Sequence, residues 1–391
     1  MGKHTKRTGA HSRQTKKVLR EEADAHRRHV GDDARSRPSQ VFDEEYHTRV
    51  NRRRRRGRAG RVILFLIVFL LVAALACGVW FVHRVNSALS LGGDEDSVKS
   101  ALTETKADEP FYMLLLGSDS REHSGTADRQ DESGDNERSD VMILVRVDAA
   151  ERKLTMLSIP RDTPHIDSSG NIMKINEVYN RDGAAGTIKA VQQLVGVPIS
   201  HYAEIHFSGF QELVDSLGGV DVNVPIELSY SDALTGERVT LQPGQQTLDG
   251  QQAQIFARAR HEYGEDQEAR RQEAVRAIVA AMVKKAQDVP LTHIPGVVLS
   301  AAECVSTDMD VSTILPLALE LHEGATMYSG TGPSAGGFDD AVGGLWFCYQ
   351  DDEGWKRVMS VVDSGGDPGK VSYAGDTARV VGSGETVTVG E

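Results

Sequence analysis

Three short stretches of this 391-residue chain set a guanidinium beside a carboxylate at the edge of an apolar run. They are Gly117-Ser118-Asp119-Ser120-Arg121 at the end of FYMLLLG, Arg138-Ser139-Asp140 before VMILVRVD, and Arg161-Asp162 in IPRDT, which closes KLTMLSI. FARARHEY adds Arg258 and Arg260, and EARRQ adds Arg270, Arg271 and Gln272 at the start of a long amphipathic stretch. These residue types suit diphosphate chemistry. Arg offers a planar fork of donors matched to phosphate oxygens, and Mg²⁺ takes one or two carboxylates plus phosphate oxygens and water. A helix N-terminus also favours an anion. Any single Arg–Asp pair is more simply a surface salt bridge worth about 0–1 kcal/mol. Recurrence of such pairs beside apolar runs, in an otherwise acidic half of the chain, points to an anionic ligand. Walker A and HExxH patterns are absent, so P-loop and zincin readings lack support.

The elements that must position these residues alternate. FYMLLLG (111–117), VMILVRVD (141–148) and KLTMLSI (153–159) are short apolar runs expected as strands of a buried sheet. GTIKAVQQLVG (186–196) and SGFQELVDSLGG (208–219) carry apolar residues at helical spacing and end in Gly, a C-cap signal. Each precedes a further strand candidate, HYAEIHF and GVDVNVP, and a long helix is expected from about Asp266 to Ala286. The polar stretch Glu122–Glu137 reads as an exposed loop between strands. Alternating strands and helices indicate an α/β layered domain, and strand ends of such sheets are where ligands bind.

From Val62 to Val82 no residue is charged, and 21 residues at 1.5 Å each span roughly 30 Å, one hydrocarbon core. The segment is expected to be a single transmembrane helix. NRRRRRGRAGR directly before it places the N-terminus in the cytoplasm and the remainder outside. A cleaved signal peptide at Ala74-Leu75-Ala76 and a lipid-modified Cys77 are the rival readings, and the long N-terminal tail argues against both. Residues 1–61 carry 19 Lys or Arg and 8 Asp or Glu, a net of +11, against −24 for the rest, so the total of −13 hides two opposite halves. The basic tail lacks aromatics and apolar periodicity; a disordered arm against anionic headgroups accounts for it without nucleic acid. Residues 83–109 read as an extracellular stem, 110–290 as the catalytic domain, 291–362 as its C-terminal elaboration, and 363–391 as a Gly-rich, disordered tail. Cys304 and Cys348, both outside, are expected to bridge within the elaboration.

Taken in order, MLLLGSDSR, RSDVMILVRVD, LSIPRDT, KINEVYN, VGVPISHYAEIHFSGFQELVDSLGGVDVNVP, LDGQQAQIFARARHEY and RRQ resemble the LytR-CpsA-Psr (LCP) family of cell-wall glycopolymer transferases, over roughly Phe111 to Ala286. The resemblance implies a three-layer α-β-α domain with a central mixed sheet, an apolar pocket for a polyprenyl chain and a polar mouth for its diphosphate. It implies Mg²⁺-assisted transfer of a glycopolymer such as wall teichoic acid from a polyprenyl-diphosphate carrier to peptidoglycan. By motif, Asp119 and Asp140 would hold the metal, and Asp119, Arg138, Asp140, Arg161 and Asp162 would be catalytic. Arg121, Arg138, Arg161, Lys174, Arg258, Arg260, Arg270, Arg271 and Gln272 would hold the diphosphate, with Asp162 or Asp119 as base. One departure stands out: many relatives carry Arg three residues before the Arg-Gln pair, where this chain has Glu268, and Arg270 is the candidate substitute. A membrane-anchored sensor that binds the lipid diphosphate or glycopolymer without turnover, and a polyprenyl-diphosphate pyrophosphatase, are the competing functions.

Overall fold

The computed structural model describes residues 40–106, 109–118, 139–231, 238–259, 261–290, 292–373, 376–379 and 386–388, with side chains from Phe65 onward. Asp119, Arg121, Arg138 and Arg260 lie outside the described residues, as does the stretch Glu122–Glu137; Asp140 is described in its backbone alone.

The chain divides into two compact units, Met1–Cys77 and Gly78–Glu391. Helix α1 (Gln40–Leu89) crosses from one to the other in sequence, and its stretch Phe65–Leu89 is long and apolar enough to cross a membrane. Within the second unit the chain continues through α2 (Glu95–Ala101), β1 (Phe111–Ser118), β2 (Ser139–Asp148), β3 (Lys153–Ser158), the hairpin β4 (Pro164–Ile166) and β5 (Ile172–Lys174), and α3 (Ile175–Val195). Next come β6 (His201–His206), α4 (Phe207–Ser216), β7 (Val220–Val224), β8 (Leu228–Ser231), β9 (Arg238–Leu241), β10 (Gly244–Leu248), α5 (Gly250–Arg258) and α6 (Gln267–Asp288). The last part holds α7 (Ile294–Cys304), β11 (Val305–Thr307), α8 (Val311–His322), β12 (Thr326–Thr331), the hairpin β13 (Ser334–Asp339) and β14 (Leu345–Gln350), α9 (Asp352–Asp363), β15 (Thr377–Arg379) and β16 (Thr386–Thr388).

The central sheet has six strands in the order β11-β6-β1-β2-β3-β12. It is mixed: β1 runs parallel to β6 and β3 to β12, while β1–β2, β2–β3 and β6–β11 are antiparallel. Both faces are covered, which is why the strands read as unbroken apolar runs. Tyr112, Leu114, Leu116, Met142 and Leu144 point to one face and pack with α2, α3 and α9. Phe111, Ile143, Val145 and Val147 point to the other and pack with α6 and α8. Each fully buried aliphatic side chain of this kind contributes about 1.5–3 kcal/mol. The three-layer α-β-α arrangement with a mixed sheet is thus observed, and a further core joins α4, α5, α6, β7 and β10.

Residues expected as a spacer are packed. Val85 and Leu89 are buried against Ala302 and Val311, Val98 and Ala101 join the α3 side of the main core, and the Thr103 N–H donates to the Ile199 carbonyl at 2.9 Å. In the segment read as an elaboration, β11 and β12 instead complete both edges of the main sheet. Helix α3 begins eleven residues before the expected start at Gly186, and a break at Gly183, φ 65°, interrupts the periodicity that would have announced it. The expected glycine C-caps are present at Gly196, φ 73°, and just past α4 at Gly218, φ 77°.

Candidate active site

One edge of the sheet gathers the C-terminal ends of β1, β3, β6 and β12 with the start of β2. The pairing of β1 with β2 slips between Gly117↔Val141 and Ser118↔Ser139, which makes Asp140 the extra residue of a β-bulge. Bulges re-aim side chains and are frequent beside active sites. Asp119 follows β1 in sequence and lies outside the described residues.

The loop Ile159–Thr163 leaves β3 at the same edge and is tied on three sides. The Ile159 N–H donates to the Met142 carbonyl (2.9 Å), Ile175 N–H to Thr163 O (2.8 Å), Asn176 N–H to Arg161 O (3.2 Å), and Cys348 N–H to Asp162 O (2.9 Å). IPRDT and KIN therefore form one backbone unit, with β14 laid against it. Lys174, last in β5, extends Nζ to 2.8 Å from Asp162 Oδ1, and to 6.0 Å from the centre of the Phe347 ring.

From the opposite layer α6 contributes its first turn. The carboxylate of Glu268 accepts from Arg271 twice, Nη2 at 2.6 Å and Nε at 3.2 Å, and from Gln272 Nε2 at 3.2 Å. Its Oε2 lies 3.8 Å from Arg161 Nε, which is itself 3.6 Å from Asp162 Oδ2. Arg271 and Gln272 are buried. The result is a chain of alternating charges, Lys174–Asp162–Arg161–Glu268–Arg271, in which a carboxylate occupies the fork that a phosphate would take. One turn further, buried Arg276 donates from Nη1 to Ser158 Oγ (2.6 Å) and to Thr331 Oγ1 (3.0 Å), joining α6 to the ends of β3 and β12. Burial pulls its guanidinium below its usual value.

Arg161, Asp162, Lys174, Arg271 and Gln272 thus converge as expected. Arg270 does not join them. Its guanidinium forms an exposed pair with Glu273 (3.2 Å), and Arg258, the last residue of α5, is exposed. Arg276 and the central place of Glu268 were not read from the sequence. Arg276 sits among the charges of an amphipathic helix, where nothing marks it as buried. Cys304 and Cys348 are free thiols, contrary to the expected bridge. Cys304 packs at Gly209 of α4, whereas Cys348 belongs to the strand against Asp162. Burial, then the nearby Asp162 and Glu268 carboxylates, push the Cys348 thiol up to about 12. Gly332-Pro333-Ser334-Ala335-Gly336 fits the GxSxG spacing, yet Ser334 opens a strand of a hairpin and not the strand-to-helix turn a nucleophile elbow needs.

Among the described residues no three His, Cys, Asp or Glu side chains converge as a metal site, and Asp162 and Glu268 are each held by a cation. The side chains of Asp119 and Asp140, the carboxylates expected at a metal, lie outside the described residues.

At its far end α6 borders an apolar cavity of about 260 Å³, lined by Leu154 of β3, Val283 and Gln287 of α6, Ile294, Val297 and Val298 of α7, and Leu315, Leu319 and Leu321 of α8 among others. Glu268 and Val283 are 15 residues apart on one helix, about 22 Å at 1.5 Å per residue. Between them Val275, Val279 and Ala280 face the apolar side of the sheet. A cationic mouth and an apolar cavity therefore share one helix, joined by an apolar wall.

The model of the LytR_cpsA_psr family matches residues 82–346. The chain is 32% identical over 225 residues to the polyisoprenyl-teichoic acid–peptidoglycan teichoic acid transferase TagT of Bacillus subtilis, covering 56% of this chain and 68% of that protein. It is 28% identical over 316 residues to the TagU protein of the same description from Oceanobacillus iheyensis, covering 76% and 91%. Among solved structures, its fold is similar to that of B. subtilis TagV, with a TM-score of 0.56 and 23% identity over 67% of this chain and 98% of that one. TagT bound to LIIa-WTA gives 0.53 and 21% over 67% and 93%.

Proposed function

Because the chain belongs to the LytR-CpsA-Psr family, we propose that it transfers a glycopolymer from a polyprenyl-diphosphate carrier to peptidoglycan through a phosphodiester link. The observation that carries the reading is the layout along α6, a cationic, partly buried mouth at one end and an apolar cavity at the other. An amphiphile with a diphosphate head and a prenyl tail has that same division. The relatives named as transferases of polyisoprenyl-linked teichoic acid support it.

In this reading Arg161, Arg271 and Gln272 bind the oxygens of the diphosphate, and the tail follows the apolar wall toward the cavity. Lys174 holds Asp162 in place. A hydroxyl of the peptidoglycan sugar attacks the phosphorus that bears the glycopolymer. The new P–O bond forms in line with cleavage of the bond to the lipid phosphate, which leaves as the polyprenyl monophosphate. The hydroxyl proton passes to a carboxylate, Asp162 or Asp119. The arginines stabilise the charge that grows on the departing phosphate. Mg²⁺, held by Asp119 and Asp140, would neutralise diphosphate charge when bound. A cytoplasmic N-terminus and an extracellular domain complete the proposal, on the strength of the basic run before the span.

The test is full-length protein in nanodiscs with a polyprenyl-diphosphate glycan, a peptidoglycan oligomer and Mg²⁺, assayed for a phosphodiester-linked product. Product formation is expected, lowered at least 100-fold in Asp162→Asn. Tight lipid binding without product would favour a sensor, and release of lipid monophosphate without acceptor would favour a pyrophosphatase.

A further inference from the structure

The second compact unit begins with the last apolar turns of α1. Val79, Trp80 and Val82 are exposed there, Trp80 by 60%, and His83 and Arg84 follow. Tryptophan is the residue type of the membrane–water interface, so the bilayer boundary falls at about this turn. Phe81, in the same turn, packs against a buried cluster of Val85, Leu89, Ala302 and Val311, as do Val298 and Leu299 of α7 and Ile314 of α8. One turn on, Val85 is fully buried in that cluster. The junction is fastened by the Val311 N–H donating to Asn86 Oδ1 (2.8 Å) and by the Arg84–Glu303 pair (3.4 Å).

Val298 belongs both to this cluster and to the wall of the apolar cavity. The cavity and the cluster against which Phe81 packs therefore share Val298. Its rim on α8 is formed by Leu315 and Leu319, one turn apart, 42% and 49% exposed. Two leucines set side by side on a surface helix form an apolar face that, among the described residues, no other element covers.

We propose that the α7–α8 face is a lipid-docking surface: Leu315 and Leu319 rest in the bilayer, and the cavity opens directly onto the hydrocarbon. The anchor decides the occupant, since a face held within a turn or so of the bilayer boundary meets lipid before it meets another protein. Under the transferase reading, on which this last step rests, the polyprenyl chain passes sideways from the membrane into the cavity without crossing water. A carrier chain is too apolar to make that crossing freely, so docking supplies the route.

Docking can be read without turnover. Full-length protein in a Cys77→Ala, Cys348→Ser background is reconstituted into phosphatidylglycerol vesicles, with a bimane label at Leu319→Cys or, as control, at Lys356→Cys. Lys356 lies on α9, in the layer across the sheet. Lipids carrying a nitroxide near the glycerol backbone are expected to quench the label at 319 at least fivefold more than at 356. Equal quenching overturns docking, and weak quenching at 319 that rises on diluting the protein within the vesicles assigns the face to a second copy instead. In a separate arm, Leu315→Glu with Leu319→Glu is expected to raise KM for a long-chain carrier in vesicles about tenfold more than KM for a water-soluble short-prenyl analogue, and an equal rise for both overturns the membrane route. If the transferase reading fails, nothing turns over yet the quenching contrast remains. If docking fails, the contrast is lost whatever the turnover.

Discussion

At the scale of single residues, Glu268 decides how the mouth works. Its carboxylate takes the two-pronged grip of Arg271 and the amide of Gln272, contacts that a phosphate oxygen could otherwise receive. An incoming diphosphate must either displace it or bind against its charge. Glu268→Gln is therefore expected to tighten binding of a polyprenyl diphosphate about tenfold, ~1.4 kcal/mol, by titration calorimetry. Weaker binding would mean that the carboxylate holds the guanidinium groups in position. Arg276→Met leaves the Ser158 and Thr331 hydroxyls without their shared donor and should cost about 1–3 kcal/mol of stability, seen as a lower Tm. Non-reducing mass spectrometry should find both outer thiols free, and Cys348 should resist alkylation at pH 8 in the folded protein. Arg161, Asp162, Lys174, Arg271 and Gln272 were legible because each stands in an ordered motif beside a strand end or helix start. Cys348 was not, since it reaches Asp162 on a strand that arrives more than 180 residues later and carries no local signal. Arg270 was read as a substitute for a missing cation because sequence gives helix position without the direction in which a side chain leaves.

At the scale of elements, the apolar runs of β1, β2 and β3 announced themselves because both sheet faces are covered. The alternation between layers within each run became visible only from the packing. The β1–β2 bulge could not be read, as it depends on how Gly117–Ser118 meets Val141–Ser139 across the ladder. Strands β11 and β12 have three and six residues, too short to stand out beside helices interrupted by proline at Pro316 or opened by Pro295. The α4–α5 contact offers a sharp test. A Cβ on Gly250 would lie 2.3 Å from the Gln211 carbonyl oxygen and 2.6 Å from its Cα, both backbone. Gly250→Ala should thus destabilise by about 1–3 kcal/mol through overpacking, whereas Gly93→Ala, with nothing within 4 Å, should leave Tm unchanged.

At the scale of the whole molecule, the opposite charges of the two ends of the chain, the apolar span and the acidic domain all agree with a protein whose work lies at a membrane surface. The sequence reading treated residues 83–109 as a tether that lends reach. The structure replaces it with buried Val85, Leu89, Val98 and Ala101, so this stretch adds no slack between the last turns of α1 and the rest of the domain. Replacing residues 90–94 by a flexible Gly/Ser insert of similar length should then leave activity near wild type. Replacing Val85 and Leu89 by Asp should destabilise the domain by several kcal/mol, measured by denaturant unfolding.

Strand β12 enters the sheet beside β3, its partner from about 170 residues earlier, and Arg276 is hydrogen-bonded to the last residue of each. In the proposed orientation the part of the domain that follows α1 emerges first, so β3 waits with an open edge until Thr331 has cleared the membrane. Pairings this distant in sequence form slowly, and an unpaired apolar edge invites association. A protein whose synthesis stops before β12 would consequently present not a weakened enzyme but an unfinished sheet, with its reactive edge open at the surface where other chains are still folding.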